Sequence, residues 1–246
     1  MNKLIKNLGN EILSAVFPYK CLSCGDIIED KGFCKACLRE LKEINPEKRC
    51  RKCGREKECC ICGYRVFRFE SLVSLYENSG TAKIAYYNYK LGGRVNHAVF
   101  FAEQLAKAAE HEYCGIDFKF LTFVPSSKFS KFKHGFDHSM EIASRLSKFM
   151  RIPLKEILVC KPFRRSQHRS NAESRLKNVK NKYYVKDNIS GGNVLLFDDI
   201  VTTGATLDEC AKQLLIAGAD KVYCISFLQS ANHNLKGSEP VLKKGD

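Results

Sequence analysis

No apolar run in this chain approaches the ~20 residues that a bilayer-spanning helix needs, which excludes a transmembrane helix. The first stretch, MNKLIKNLGNEILSAVFPYKC, also lacks the marks of a signal peptide. Lys6 and Glu11 interrupt any apolar core, and no small-residue cleavage site follows. Leu4, Leu8, Ile12 and Val16 fall instead on one helical face. Neither the nucleotide-binding loop GxxxxGKS/T nor the dinucleotide fingerprint GxGxxG is present. Apart from paired cysteines there is no internal repeat. These absences lead to the expectation of a cytoplasmic protein with no membrane span. Acidic side chains are also scarce beside basic ones, 27 against 41, and a formal charge of +14 with a pI near 9.2 favours polyanionic partners such as nucleic acid or phosphorylated substrates.

Cysteine, by contrast, is plentiful. Nine of the thirteen lie between residues 21 and 62, as Cys21-x-x-Cys24, Cys34-x-x-Cys37, Cys50-x-x-Cys53 and Cys59-x-x-Cys62, with Cys60 left over. In a reducing compartment this is a metal pattern before it is a disulfide pattern, because two pairs complete one tetrahedral ion. Four pairs make two Zn²⁺ sites. Sequential pairing, Cys21/Cys24/Cys34/Cys37 and Cys50/Cys53/Cys59/Cys62, closes the shortest loops and is favoured; crossed pairing stays open. Glycines after Cys24, Cys53 and Cys62 supply the turn that lets backbone amides face the thiolates. Eight thiolates on two Zn²⁺ would remove about four of the positive charges, and a clear excess remains. The segment has too little apolar sequence to fold alone, so metal would supply its core.

The densest chemistry is at VLLFDDIVTTGAT, residues 194–206. Val194 to Phe197 read as a central parallel strand with both faces covered. Asp198 and Asp199 follow at its C-terminal end. Thr202, Thr203, Gly204, Ala205 and Thr206 then offer hydroxyls, a pliable backbone and a cap for a helix whose apolar positions are Leu207, Cys210, Ala211, Leu214 and Leu215. Gly218 closes that helix, and Val222 to Leu228 make the next buried strand, completing a βαβ unit. A phosphate belongs at the start of the helix, where free N–H groups and the positive end of the dipole point.

Elsewhere, Tyr64 to Tyr76 alternates as a strand, and helices are expected over 81–90 and 96–110 around a Gly92-Gly93 break. Tyr86, Tyr87 and Tyr89 beside Lys90 read either as base-stacking aromatics or as core and rim residues, the second being favoured. Phe118 to Val124 is a buried strand, and Ser126, Ser127 and Lys128 after its end could form a second anion loop. A helix from Ser139 buries Ile142, Ala143, Leu146 and Phe149. His134 and His138 are poorly placed for a shared metal, with Gly135 between them and no acidic third ligand. Ile157 to Val159 and Tyr183 to Val185 are short strands. Between them Arg164, Arg165, Arg169, Arg175, Lys177, Lys180 and Lys182 form either a clamp for pyrophosphate or nucleic acid or a solvated basic face.

The residue 194–206 stretch resembles the signature of type I phosphoribosyltransferases, and zinc knuckles followed by such a loop resemble the ComF family of bacterial competence and phosphoribosyltransferase-like proteins, over about residues 15 to 230. Val124-Pro125 with Lys133 to His138, and Gln167, Arg175, Asn178 and Tyr183, carry the rest of the likeness, although the family's RRGFNQ reads KHGFDH here and Ser170 stands where Leu is usual. The resemblance implies a zinc-binding region over 1–65 and an α/β phosphoribosyltransferase domain with a mainly parallel sheet over 66–230, while the tail over 231–246, with NLKGSEPVLKKGD, reads as frayed from its own composition. It also implies phosphoribosyl pyrophosphate (PRPP) as ligand. Asp198 and Asp199 would hold the ribose hydroxyls, Thr202 to Thr206 would wrap the 5′-phosphate, and Lys128 and Arg175 would lie by the pyrophosphate with Mg²⁺. The function implied is phosphoribosyl transfer to an unidentified acceptor, or else a competence factor that handles single-stranded DNA with other competence proteins and keeps the PRPP site as a sensor. A zinc adaptor alone would leave the phosphate loop unexplained.

Overall fold

The computed structural model describes residues 18–92, 95–126, 137–161 and 181–231. The cysteine-rich segment holds little regular structure: a two-residue antiparallel ladder of β1 (Tyr19–Lys20) with β2 (Ile27–Ile28), a short helix α1 (Lys35–Arg39), and one 3-10 turn over Lys57–Cys59. Such a segment has no apolar interior of its own, as a metal-built fold requires.

The chain then enters β3 (Ser71–Glu77) and two helices, α2 (Gly80–Gly92) and α3 (Val95–Glu112). β4 (Phe118–Phe123) and α4 (His138–Met150) follow, then the short strands β5 (Leu158–Cys160) and β6 (Tyr183–Val185). The last unit is β7 (Asn193–Val201), α5 (Ala205–Ile216) and β8 (Lys221–Gln229). β3, β8, β7 and β4 form one sheet in that order, with every pairing parallel. β5 and β6 make a separate antiparallel pair.

A parallel sheet must be covered on both faces. Side chains alternate along β7, so Leu195 and Phe197 enter a core with α2, α3 and α4, while Val194 and Leu196 enter a second core under α5. The expected α/β architecture, a mainly parallel sheet flanked by helices, is the observed one. No described helix is long and apolar enough to cross a membrane.

Three expectations need correction. β7 does not stop at Phe197 but runs to Val201, because β8 continues alongside to Gln229 and places Ser226 opposite Asp198. The alternation from Tyr64 becomes a strand only from Ser71: Phe67 and Phe69 are buried, stacked with ring centroids 4.8 Å apart, and they pack into the core that includes Leu207 of α5. Phe149 is 43% exposed, and α4 buries His138 and Ser139 beside Ile142, Ala143 and Leu146 instead.

Helix α5 ends in a Schellman arrangement. Gly218 at φ 108 lets its own N–H reach the Leu215 carbonyl and the Ala219 N–H reach Leu214, both at 3.1 Å. A Cβ at Gly218 would lie 2.2 Å from the Ile189 carbonyl oxygen, so no side chain fits there.

Candidate functional site

At the C-terminal end of β7 the two acids leave the strand on opposite faces of the sheet, as adjacent strand residues must. Asp198 is buried on the α5 side. Burial, and then the charge on Asp199, push its carboxyl well above the usual carboxylate range. Its Oδ1 accepts the Asp199 N–H at 3.0 Å, and Asp199 Oδ1 accepts the Ile200 N–H at 2.8 Å. On the other face, the Tyr86 hydroxyl of α2 donates to Asp199 Oδ2. Tyr86 is fully buried among Phe101, Tyr89 and Phe227, and burial followed by the Asp199 charge holds its phenol well above its ordinary value. Tyr89 is likewise buried, its hydroxyl donating to the His138 carbonyl, while Tyr87 is 44% exposed. Of the three tyrosines, two therefore belong to the core, as favoured, and Tyr86 gains a role that nothing in the local sequence announces.

After Val201 the chain turns through 202–204 into α5. The helix is capped by Gly204 at φ 74, with no side-chain cap. Instead, Thr203 Oγ1 accepts the Ala205 N–H at 3.3 Å. Thr203, Gly204 and Ala205 are buried, while Thr202 and Thr206 are half-buried. The first N–H groups of α5 have no acceptor within the helix, as at any helix N-terminus. Ser126 lies at the same end of the sheet, beyond β4, where its hydroxyl donates to Asp137 Oδ1 at 3.1 Å and so supports the α4 N-cap. Ser127, Lys128, Arg175, His134 and the cations of 164–180 lie outside the described residues, as do the N-terminal helical face and the tail beyond 231.

The cysteines gather into two tetrads, Cys21/Cys24/Cys34/Cys37 and Cys50/Cys53/Cys60/Cys62, in each of which the sulfurs lie within 4.8 Å of one another. Four thiolates about 2.3 Å from one tetrahedral ion sit about 3.8 Å apart. The separations Cys24 to Cys34 (3.7 Å), Cys50 to Cys62 (3.8 Å) and Cys53 to Cys60 (3.8 Å) match that figure. The donor set therefore fits Zn²⁺, and no cysteine is in a disulfide. Burial raises the Cys21 thiol, but backbone N–H groups, that of Cys34 at 3.3 Å foremost, outweigh it and bring the group to about 6. Gly25 (φ 86) and Gly54 (φ 73) make the turns expected after Cys24 and Cys53.

Sequential pairing is the observed arrangement, with one correction. Cys60, not Cys59, completes the second tetrad. Cys59 ends the 3-10 turn, whereas Cys60 leaves it extended (φ −64, ψ 136), and in extended chain residues two apart face the same way. Cys60 thus converges with Cys62, while Cys59 borders a hollow lined by Arg55, Glu77 and Gln229.

Residues 12–63 match the family described as a double zinc ribbon domain. Together with the two tetrads, the match supports structural zinc. Over 220 residues the chain is 24% identical to competence protein F of Haemophilus influenzae, covering 84% of this chain and 95% of that protein. It is 30% identical over 105 residues to the DNA utilization protein YhgH of Escherichia coli O157:H7, covering 42% of this chain and 46% of that protein, so it spans about half the length of that relative. Among solved structures, glutamine PRPP amidotransferase from B. subtilis is similar at 21% identity and TM-score 0.38, covering 56% of this chain and 30% of that one. Adenine phosphoribosyltransferase from Thermoanaerobacter pseudethanolicus is similar at 15% identity and TM-score 0.37, covering 56% and 83%.

Proposed function

We propose that this chain, a ComF-type protein with a phosphoribosyltransferase fold and an N-terminal zinc ribbon, binds PRPP with Mg²⁺ at the end of β7 and transfers its phosphoribosyl group within the handling of DNA. The observation that carries the reading is the juxtaposition of Asp198 and Asp199 with the 202–206 loop at the N-terminus of α5. The acids would hold the sugar hydroxyls, and the loop's N–H groups and hydroxyls would seat the 5′-phosphate. In the reaction the bond from the anomeric carbon to the pyrophosphate oxygen breaks, and an acceptor nucleophile forms the new bond to that carbon through an oxocarbenium-like state. Mg²⁺, a hard cation suited to carboxylate and phosphate oxygens, would offset charge on the departing pyrophosphate. The chain's own part is to fix the ribose and exclude alternative poses. Lys128 and Arg175 are assigned to the pyrophosphate in this reading. The names of the relatives, competence protein F and DNA utilization protein, support a place in DNA handling, and the charge of +14 suits single-stranded DNA as a partner.

Calorimetry with Mg-PRPP tests the site. Wild-type protein should bind, and Asp198→Asn/Asp199→Asn should not; equal binding by the two would refute the assignment. Pyrophosphate release in the presence of candidate nucleobases and amines then separates a transferase from a sensor, since a sensor would bind and never exceed the buffer rate.

Tyr86→Phe offers a finer probe. It removes one donor to a carboxylate without emptying the core, and a hydrogen bond to a charged group is worth roughly 1.5–3 kcal/mol. Mg-PRPP affinity should drop on the order of tenfold while zinc content holds. Unchanged affinity would mean that Tyr86 does not set the aim of Asp199.

A further inference from the structure

We propose that Arg55, carried by the second cysteine tetrad, is a positioning residue for the phosphate loop, and that through it metal at the tetrad and an anion at the loop strengthen each other's binding. This deepens the preceding reading and rests on it only in taking a sugar phosphate as the loop's ligand.

Arg55 follows the Cys53-Gly54 turn directly, and its carbonyl accepts the Cys50 N–H at 2.6 Å while the Gly54 N–H donates to the Cys50 carbonyl at 2.8 Å. Its backbone is therefore pinned to the same turn that presents Cys50 and Cys53 to a metal. The guanidinium is buried, 3% exposed, and Nη2 donates to the carbonyl of Thr202, at the head of the phosphate loop. A trans peptide points its C=O and N–H in opposite directions, so holding the Thr202 oxygen towards the ribbon turns the Thr203 N–H to the side away from it. One buried hydrogen bond thus orients the first peptide of the anion loop.

The contact is not isolated. Gln229, which ends β8 opposite Val201, donates from Nε2 to the Cys53 carbonyl at 2.7 Å, so the turn is tied to the strand ends beside the loop. Phe67, just after the ribbon, lies under Gly204, where an added Cβ would come within 3.0 Å of the ring. Arg68 donates from its backbone N–H (2.7 Å) and from Nη1 (2.8 Å) to the two oxygens of Asp208 in the first turn of α5. The start, middle and exit of the loop are all braced by residues 53–68. Arg55 reaches the loop from inside the turn that carries Cys50 and Cys53, and a metal on those two sulfurs adds a further constraint to the hydrogen bonds that already hold the turn. Thermodynamic linkage then requires the reciprocal effect, with ligand at the loop raising the affinity of the tetrad for metal, which slower loss of the ion would report.

The test uses the full-length zinc-loaded protein. Release of zinc to a chromogenic chelator should show two phases, and ribose 5-phosphate, which lacks the metal-binding pyrophosphate, should slow one of them several-fold in wild type. In Arg55→Gln that slowing should vanish and Mg-PRPP affinity should drop on the order of tenfold, within the usual range of such couplings. Arg55→Lys, which keeps one charged donor, should recover part of both. Zinc release indifferent to ribose 5-phosphate in wild type would overturn the proposal, as would Arg55→Gln binding Mg-PRPP like wild type with both zincs in place. If Arg55→Gln does not fold, the wild-type release experiment decides alone. Failure of wild type to bind Mg-PRPP, with zinc release still slowed by ribose 5-phosphate, would remove the PRPP reading and leave the coupling standing.

Discussion

Replacing Asp198 by asparagine should make the ligand-free protein more stable and unable to bind Mg-PRPP. The carboxyl sits buried against Asp199, with its folded-state pKa raised well above the value of about 3.9 it has in an unfolded chain. Between those two values the folded protein keeps a proton that the unfolded chain has released, so stability falls as pH rises through the window. Above the raised value a charge is buried beside Asp199, and the Lys90 cation offsets it only in part. Asparagine has nearly the same shape, still accepts the Asp199 N–H through Oδ1, and does not titrate. Its gain over wild type should be absent below about pH 4, grow through the window, and level off above the folded-state value. Each ~1 kcal/mol gained raises the melting temperature of a chain this size by about 2–4 °C. Thermal melts from pH 5 to 8.5 without added Mg²⁺ check this. A variant less stable than wild type, or a gain that does not vary with pH, would mean that Asp198 is not held at a cost for its function. Coupling a gain in stability to a loss of ligand is what a carboxylate kept for binding, rather than for the fold, should do.

The parts of this molecule that could be read from the chain are those whose causes are local. The apolar run Val194 to Phe197, the Thr/Gly-rich turn and the closing Gly218 each specify their own conformation, so the βαβ unit follows from adjacent residues. The end of β7 did not follow, because it depends on how far β8 runs alongside it, which carries the ladder past Asp198 to Val201 opposite Gln229. Phe67 and Phe69 mimic a strand's alternation while packing against a loop and a helix. Tyr86 meets Asp199 only because α2 crosses over the sheet end, and Arg55 meets Thr202 across 147 residues of sequence. Periodicity reports which face of an element is apolar. It carries no information on which distant polar group that face will meet, and the candidate site depends on two such meetings.

The adjacent cysteines pose the same problem at the scale of one residue, and substitution resolves it with a large effect. Cys60→Ser should cost the protein one of its two zinc ions and much of its stability, whereas Cys59→Ser should keep both ions and melt close to wild type. The second tetrad is not a free appendage. Cys53 and Ile61 are part of the α5-side core, Gly54 packs within 2.9 Å of Leu72 by its would-be Cβ, and the Leu72 N–H donates to the Arg51 carbonyl at 3.0 Å. Losing a ligand therefore loosens the edge of β3 as well as the turn, and structural zinc in small peptides contributes of order 10 kcal/mol of apparent binding energy to folding. The first tetrad shares no ligand with the second and should retain its ion in both variants. Metal analysis together with a thermal melt reads both outcomes. Zinc retained in Cys60→Ser and lost in Cys59→Ser would reverse the ligand assignment. Loss of both ions from Cys60→Ser would show instead that the two sites fold as one unit, with the ladder of β1 and β2 depending on the turn that carries Arg55.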